Sequence, residues 1–314
     1  MKSTYYIGTR GSSLALWQAN HIKSQLEREH PQHTFELVKI KTSGDKILDV
    51  PLAKVGGKGL FVKEIEAALR EGSIDLAVHS MKDVPAVIPS ELTLAAVTRR
   101  EHPGDVLIAR SGASLDDLPK GARVGTSSLR RQCQLLTYRP DLTVVSLRGN
   151  LDTRLRKVET NQFDAIVVAA AGVIRMGWQD RVTQYLPTSL LLPAIGQGAL
   201  GIETRIADKY TRSMVSFLHD VDTAVAVAAE RAVLKRLEGG CQVPIAALGT
   251  ISDESIALDG LVGSLDGSLI IRKQVEGSRD KPEELGISLA EQLLNAGGRD
   301  ILAGIYGNDA AGRL

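Results

Sequence analysis

Strand-like apolar runs alternate with helical patterns through the first half of this chain of 314 residues. A strand-like stretch at residues 5–9 precedes a helical pattern at 14–30, and a second strand-like stretch follows at 35–40. Two strands that are joined by a helix lie parallel and connect through a right-handed crossover. The run at 165–169 is almost entirely apolar, which is typical of a parallel strand buried on both faces. The order therefore predicts an α/β protein with mainly parallel sheets.

Strand and helix patterns continue to alternate along the chain, and near the C-terminus two strand patterns follow one another directly. Further strands are predicted at residues 74–78, 93–97, 105–109, 143–147, 256–262 and 268–275, and at Val124. Further helices are predicted at residues 60–71, 129–138, 150–159, 170–176, 222–237 and 282–295. The last two strands alternate in hydrophobicity around Leu265-Asp266-Gly267, which indicates a hairpin within a small C-terminal α+β domain.

The first helix shows both its start and its buried face. Ser12 or Ser13 is a natural N-cap, because a short hydroxyl side chain can accept from the first free N–H groups. Apolar residues recur at helical spacing and predict the inner face: Ala15, Ala19, Ile22 and Leu26.

Two polar or glycine-bearing links suggest how the chain is divided. They lie at residues 99–104 and 192–203, and two-lobed binding folds often cross between their lobes twice. We expect a discontinuous first lobe at 1–99 and 199–219, a second lobe at 104–193, and a C-terminal domain at 221–314. The sheets of the two lobes should be mixed and mainly parallel.

Charge and cysteine content exclude several classes of protein. The net charge is +1, so no global field draws the chain to nucleic acid or to a membrane surface. Two cysteines, Cys133 and Cys241, form neither a disulfide framework nor a CxxC zinc motif. The N-terminus lacks the apolar core of a signal peptide, and no apolar run is long enough to span a bilayer. We expect a cytoplasmic protein with reduced thiols.

Arginines concentrate between residues 124 and 156. Six arginines stand there against two acids, and several fall where a helix follows a strand. Guanidinium groups and helix N-termini both bind anions, so the pattern predicts an anion site; a solvated basic face is the alternative. Nucleic acid fits less well, because aromatic residues make up only 4% of the chain. Small polycarboxylates or phosphates fit better.

Lys82 and Asp83 follow the strand predicted at 74–78. Ligands of open α/β sheets bind beyond the carboxyl ends of strands, so the pair is a candidate for a functional site. On these residues alone, a solvated ion pair that stabilises the turn is the slightly better interpretation.

Cys241 follows a glycine pair that ends the helical pattern at 222–237. Glycine takes the left-handed conformation that stops a helix, so the thiol should lie on a tight, exposed turn. A small side chain that fills a gap beneath a loop is the alternative interpretation. Cys133 lies within a helical pattern beside Leu135 and Leu136, which favours core packing.

The stretch 42–59 is polar and glycine-containing, and we expect it to be a mobile loop that shields the site. The phosphate-loop spacing, in which lysine adjoins Ser or Thr, is absent, so no ATP site is expected there.

Seven motifs in this order resemble the porphobilinogen deaminase (hydroxymethylbilane synthase) family over nearly the whole chain. They are Thr9-Arg10-Gly11-Ser12 with Leu14-Ala15-Leu16-Trp17-Gln18, Gly56-Gly57-Lys58-Gly59-Leu60-Phe61, His79-Ser80-Met81-Lys82-Asp83-Val84-Pro85, Gly125-Thr126-Ser127-Ser128-Leu129-Arg130-Arg131-Gln132, Arg148-Gly149-Asn150 with Thr153-Arg154-Leu155, Gly196-Gln197-Gly198-Ala199, and Glu238-Gly239-Gly240-Cys241. One departure is Pro103-Gly104-Asp105, where the family usually has arginine between proline and aspartate. We expect this change to affect the hinge and not the chemistry.

The resemblance implies two periplasmic-binding-protein-like lobes and a covalent dipyrromethane cofactor on a thioether to Cys241. It implies a transferase of porphyrin and heme biosynthesis that condenses four porphobilinogens head to tail, with loss of ammonia, and releases hydroxymethylbilane. It also implies a monomer that passes its product to a downstream tetrapyrrole enzyme.

The resemblance also assigns roles at the matching positions. The cofactor-binding residues would be Cys241 (covalent), Ser12, Lys58, Ser80, Lys82, Asp83, Thr126, Ser128, Arg130, Arg131, Arg148 and Gly172. The substrate-binding residues would be Arg10, Ser12, Gln18, Arg148, Arg154 and Arg175. Asp83 and Lys82 would be catalytic, and no metal is expected.

These roles suit the chemistry. Each porphobilinogen carries an acetate and a propionate, and arginine forks bind carboxylates. Loss of ammonia leaves an electrophilic azafulvene, whose positive charge the carboxylate of Asp83 would stabilise.

Two alternatives share the fold. A non-catalytic binding module for a small polyanion would need neither Asp83 nor an exposed cysteine. A LysR-type effector domain would follow a helix-turn-helix, and none precedes this one.

Overall fold

The computed structural model describes residues 2–46, 59–237 and 243–306. Several sequence predictions fall outside these ranges. They concern Lys58, the turn that carries Cys241, and most of the loop expected at 42–59.

The predicted elements are present with bounds close to those expected. The strands are β1 (Thr4–Thr9), β2 (Thr34–Lys39), β3 (Leu76–Ser80), β4 (Leu92–Val97), β5 (Asp105–Ala109), β6 (Arg123–Gly125), β7 (Thr143–Val145), β8 (Ala165–Ala169), β9 (Gln184–Leu186), β10 (Leu200–Arg205), β11 (Ile245–Ser252), β12 (Ser255–Gly263) and β13 (Ile270–Ser278). The helices are α1 (Ser13–Glu29), α2 (Ser43–Lys46), α3 (Lys63–Glu71), α4 (Leu129–Tyr138), α5 (Leu151–Glu159), α6 (Ala170–Arg175), α7 (Lys209–Met214), α8 (Val221–Arg236), α9 (Pro282–Leu293) and α10 (Arg299–Tyr306). Six of these described elements were not predicted: β9, β10, β11, α2, α7 and α10.

The described residues form two compact units. The first contains residues 2–46, 59–101 and 198–224, and the second contains residues 102–197, 225–237 and 243–306. The finer division into two lobes and a C-terminal domain, with the boundaries expected from the sequence, stays a prediction.

A five-stranded sheet organises the first unit, in the order β2-β1-β3-β10-β4. β1 pairs in parallel with both β2 and β3, as the predicted crossover through α1 requires. β10 pairs antiparallel with β3 and with β4. Four strands therefore run one way and β10 runs the other, with the apolar side chains of α1 packed on the sheet.

The second unit contains a sheet with an equivalent arrangement, in the order β7-β6-β8-β5-β9. β6 pairs in parallel with β7 and β8, while β5 pairs antiparallel with β8 and β9. Again one strand opposes four. The antiparallel strand is β5 here and β10 in the first unit. β5 directly follows the link predicted at 99–104, whereas β10 begins inside the link predicted at 192–203, so residues 200–203 are strand and not link.

A separate antiparallel sheet, β11-β12-β13, also belongs to the second unit. Its apolar face packs on α8, α9 and α10 through residues such as Val233, Leu258 and Leu289. The predicted hairpin is confirmed, although β12 and β13 extend beyond the expected bounds. These three sheets confirm the predicted fold class: two α/β parts with mixed, mainly parallel sheets and a small C-terminal α+β part.

The start of α1 is fixed by Ser12, whose hydroxyl accepts a hydrogen bond from the N–H of Ala15 at 3.3 Å. The predicted inner face is correct for Ala19, Ile22 and Leu26 and wrong for Ala15, which is only half-buried. Gln18 is buried in addition. Its amide tolerates burial because its Oε1 accepts from the hydroxyl of Ser80.

Cys133 lies in the core, as predicted. Its side chain is fully buried in a cluster with Leu192, Ala246 and Leu261. A Cβ at Gly263 would lie 2.9 Å from the Cys133 sulfur, so α4 packs closely on β12.

Cys133 should therefore resist thiol reagents in the native protein. Burial raises its pKa to about 12, whereas a free thiol ionises near 8.5. The neutral thiol is thus stable in the native state below that higher value. We expect a Cys241→Ser variant to incorporate no iodoacetamide at pH 8, and one equivalent once it is denatured. Rapid labelling of the folded variant would contradict this packing.

No helix in the described ranges is both long and apolar enough to cross a bilayer. Within the same residues, no three His, Cys, Asp or Glu side chains gather closely enough to hold a metal ion.

Candidate active site

Arg10 forms the centre of a charged cluster in the first unit, directly after β1. Its Nε donates to Asp45 Oδ1 at 3.2 Å, and its Nη1 lies 3.9 Å from Asp83 Oδ2. Its guanidinium group also lies 4.2 Å from the centre of the Phe61 ring, within the range of a cation–π contact. Two predicted site residues, Arg10 and Asp83, are thus brought together.

Asp45 was not predicted, because its segment was interpreted as loop. It lies in α2, where Thr42 Oγ1 donates to it at 2.7 Å. Burial alone would raise the pKa of Asp45, but hydrogen bonds from Arg10 and Thr42 hold that pKa below its usual value. Asp45 therefore stays ionised and offsets part of the charge of Arg10.

Asp83 is positioned by a single helical turn, Met81–Asp83, immediately after β3. Met81 is buried, its N–H donates to the carbonyl of Ala199 at 3.0 Å, and its own carbonyl accepts from Val84. Lys82 and Asp83 project from this anchored turn and are half-buried. The carboxylate is therefore held at the end of a buried strand and stays accessible.

The strand before this turn brings two more predicted residues together. Ser80, the last residue of β3, donates its hydroxyl to Gln18 Oε1 at 3.1 Å. One residue earlier, His79 pairs with the buried carboxylate of Glu203 at 2.9 Å. Both contacts fix β3 where the turn with Asp83 begins.

Arg130 and Arg131 lie in the first turn of α4, in the second unit, and both are buried. Asp105 bridges them. Its Oδ2 accepts from Arg130 Nη2 at 2.8 Å, and its Oδ1 accepts from Arg131 Nη2 at 2.7 Å. Asp105 directly follows Gly104, the position at which this chain departs from the family pattern, and the expectation that this departure affects the hinge stays a prediction.

The charges of this cluster do not balance. Burial would raise the pKa of Asp105, but the two guanidinium groups hold that pKa far below its usual value of about 3.9. The ion pairs therefore stabilise the fold above that value, and they weaken as the pH falls below it. Two positive charges and one negative charge leave one positive charge in excess.

Each arginine also keeps one nitrogen atom without a hydrogen-bond partner in the part of the chain that the structure describes. Arg130 Nη1 donates to the carbonyl of Leu192 and Arg131 Nη1 to that of Val167. The Nε atoms of both arginines are buried and have no hydrogen-bond partner among the described residues. A buried donor without a partner costs about 1–3 kcal/mol, so this pair suits a further carboxylate.

The start of α4 is set by two predicted residues. Ser128 is the N-cap and accepts from the N–H of Arg131, while Thr126 Oγ1 accepts from the N–H of Ser128 at 3.2 Å. Free N–H groups at such a helix start favour anions.

The other predicted arginines lie near two further helices of this unit. Asn150 caps α5, and the carbonyl of Gly149 accepts from Arg154 Nε at 2.9 Å. Arg148 precedes this turn, and burial lowers the pKa of its guanidinium group. Gly172 is buried within α6, and Arg175 is the last residue of that helix.

Fold and site together define a class of protein, the α/β proteins with mixed sheets and a buried arginine pair at the start of a helix. The comparisons give the family. Residues 5–213 match the family model "Porphobilinogen deaminase, dipyromethane cofactor binding domain", and residues 224–295 match its C-terminal domain. The chain belongs to the porphobilinogen deaminase family.

The sequence is similar to curated relatives over almost the whole length of both chains. A porphobilinogen deaminase of Geotalea uraniireducens is 56% identical over 96% of this chain and 95% of its own. One of Geobacter sulfurreducens is 57% identical over 96% and 94%. Among solved structures, the aliphatic sulphonate binding protein SsuA of Escherichia coli has a TM-score of 0.42 at 15% identity, covering 76% of this chain and 71% of its own.

Family membership confirms the activity predicted from the motifs. The chain is a transferase that condenses porphobilinogen on a dipyrromethane cofactor. The alternative of a non-catalytic polyanion-binding module is not supported.

Proposed function

We propose that Arg130 and Arg131 bind a carboxylate of the dipyrromethane cofactor. One observation carries the proposal: two buried guanidinium groups share a single counter-ion and keep two unused Nε–H donors. A carboxylate would neutralise the excess charge and supply the acceptors. The structure thus offers donors that fit the cofactor's side chains.

Cys241 would hold the cofactor through a thioether; this assignment rests on sequence and family alone. When bound, the dipyrromethane supplies the free pyrrole position on which the chain of rings is extended. Thr126, Ser128 and Gly172 would line the cofactor's place in the second unit, and Ser12, Lys58 and Ser80 would serve it from elsewhere in the chain.

Asp83 would act on the incoming ring as the catalytic carboxylate. The ring that loses ammonia becomes cationic at its pyrrole nitrogen, and a fixed negative charge stabilises that cation. The anchored turn after β3 holds Asp83 in place without burying it fully. Lys82, its neighbour, would pair with a carboxylate and help to move protons.

Arg10 would bind substrate carboxylates as a partly neutralised cation, because Asp45 already pairs with it. A ligand carboxylate must therefore compete with, or join, that pair. Arg148, Arg154 and Arg175 would bind further carboxylates as the product grows, with Ser12 and Gln18 as neutral partners.

Leucine in place of Arg131 or of Arg148 should impair cofactor assembly or stall elongation. Removal of one partner from a charge-assisted pair costs about 2 kcal/mol or more, which corresponds to about thirtyfold in carboxylate binding. Intact mass gives the fraction of protein that carries the adduct, and circular dichroism reports the fold. If Arg131→Leu does not fold because this arginine is more buried, Arg148→Leu provides the test instead.

The matched control is Arg110→Leu, which removes an exposed arginine from a surface pair with Asp164 in the same unit. It should carry the adduct and turn over as wild type does. Wild-type assembly and turnover in both site variants would show that the basic cluster is a solvated face.

We also propose that the protein works as a monomer in the cytoplasm and passes hydroxymethylbilane to a downstream tetrapyrrole enzyme. Exposed large apolar side chains occur singly along the sequence: Val87 and Leu269 lie between elements, and Ile287 lies in α9. Such isolated exposure favours a monomer.

A further inference from the structure

Asp105 occupies an unusually constrained position for a charged residue. It is the first residue of β5, it is completely buried, and it is paired on one side with Ala169 and on the other with Leu186. A strand that is hydrogen-bonded on both edges cannot shift its register without breaking both ladders. The carboxylate is therefore fixed by the sheet.

Gln197 adds a second constraint. Its side chain is buried, and its Nε2 donates to Asp105 Oδ1 at 3.0 Å. The same nitrogen lies 2.6 Å from the carbonyl of Pro103 and 3.1 Å from that of Gly104. The amide thus binds both the carboxylate and the backbone that leads into β5.

Arg130 and Arg131 make equivalent sets of hydrogen bonds. Each gives one terminal nitrogen to Asp105 and the other to a backbone carbonyl, and each is left with its Nε. A pair held in this way cannot rotate toward a ligand without losing a buried ion pair, so its unused donors are preorganised.

We propose that Asp105, held by Gln197, is the positioning residue of the arginine pair: it aligns Arg130 and Arg131 and limits their excess charge to that of one carboxylate. The inference rests on the proposed function, in which this pair binds a carboxylate of the cofactor. The inference adds that the arginine pair binds one carboxylate and not two. A second carboxylate would have no positive charge left to neutralise it.

Removal of the negative charge tests this idea, because two models predict opposite signs. If Asp105 merely occupies the site until a ligand displaces it, Asp105→Asn should bind anions more tightly, since the cluster then carries two excess charges. If Asp105 aligns the arginines, binding should weaken, because the amide nitrogen of Asn cannot accept from a guanidinium group.

The experiment uses the full chain with Cys241→Ser, in which no adduct can form and binding is reversible. The probe is a free dipyrromethane with the acetate and propionate groups of two porphobilinogens, and its affinity is measured by thermal shift and by titration, with and without Asp105→Asn. We expect Asp105→Asn to weaken binding at least about tenfold. We also expect a steeper salt dependence for the binding that remains, because the cluster charge has risen. Circular dichroism and the urea midpoint of the unliganded variant report any loss of the fold separately, so a merely structural role would show there and not as weaker binding by folded protein.

Three further variants make the outcome decisive. Asp141→Asn removes another carboxylate that pairs with an arginine of this unit, Arg139, and should leave binding unchanged. Gln197→Leu keeps both ion pairs and should weaken binding in the same direction but less, which provides a test if Asp105→Asn does not fold. Equal or tighter binding by folded Asp105→Asn overturns the positioning role.

Arg131→Leu in the same background separates the two proposals. If Arg131→Leu weakens binding and Asp105→Asn does not, the positioning role alone fails. If Arg131→Leu binds the free dipyrromethane as its parent does, the proposed carboxylate site itself fails.

Discussion

Cofactor-loaded Asp83→Asn protein should release ammonia in a single turnover about a hundredfold more slowly than wild type, or slower still. Arginines attract a polycarboxylate but oppose the formation of a cation, so one carboxylate must offset them at the reacting ring. Asparagine keeps the shape of the side chain and removes its charge. The loss should fall on kcat, with little change in binding, because the interaction strengthens only as the cation forms.

Two further variants show whether the slower rate comes from loss of the Asp83 charge. Asp83→Glu should recover only a trace of activity, because the extra methylene displaces the carboxylate. Asp45→Asn removes the other carboxylate that contacts Arg10 and should alter KM more than the single-turnover rate. A near-normal rate in Asp83→Asn would mean that Asp83 only positions Lys82, and the catalytic assignment would be wrong.

Cys241→Ser should abolish the covalent adduct and, with it, turnover. The purified wild-type chain should exceed its sequence mass of 33.7 kDa by one dipyrromethane, and the excess should survive denaturation because a thioether is stable. The matched control is Cys133→Ser, which should keep the adduct, since Cys133 is buried in the core.

Intact mass spectrometry of the wild type, Cys241→Ser and Cys133→Ser shows which of the three proteins carries the adduct. An active native preparation with an unmodified Cys241 would contradict the assignment of a covalently bound primer. Retention of the adduct in Cys241→Ser would place the attachment elsewhere.

Local signals account for the elements that the sequence predicted well. The bounds of α4, β5 and β8 match the expected ones. Ser128 caps α4, Gly104 precedes β5, and β8 is a continuous apolar run, and all three signals act over a few residues. β11 was missed because its Ala-Ala-Leu-Gly stretch has neither a clear alternation nor a bulky apolar face.

The contacts of the site could not be predicted in the same way. Asp105 lies 25 and 26 residues before the arginines it binds, and Asp45 lies 35 residues after Arg10. Counting charges within a window therefore found the arginines and overlooked their counter-ions. Gln197 was within a recognised motif, but nothing local showed that its amide contacts Asp105.

The antiparallel strand of each sheet has a consequence for the order in which the chain folds during synthesis. β10 lies between β3 and β4, so the first sheet cannot be completed until residue 205 has left the ribosome. The second sheet needs only residues 105–186, which are continuous along the chain. Because sheets that close over long sequence separations form late, the second sheet should be complete first, although its residues are made after most of the first. The earliest strands must therefore wait, partly unpaired, for the strand that joins them.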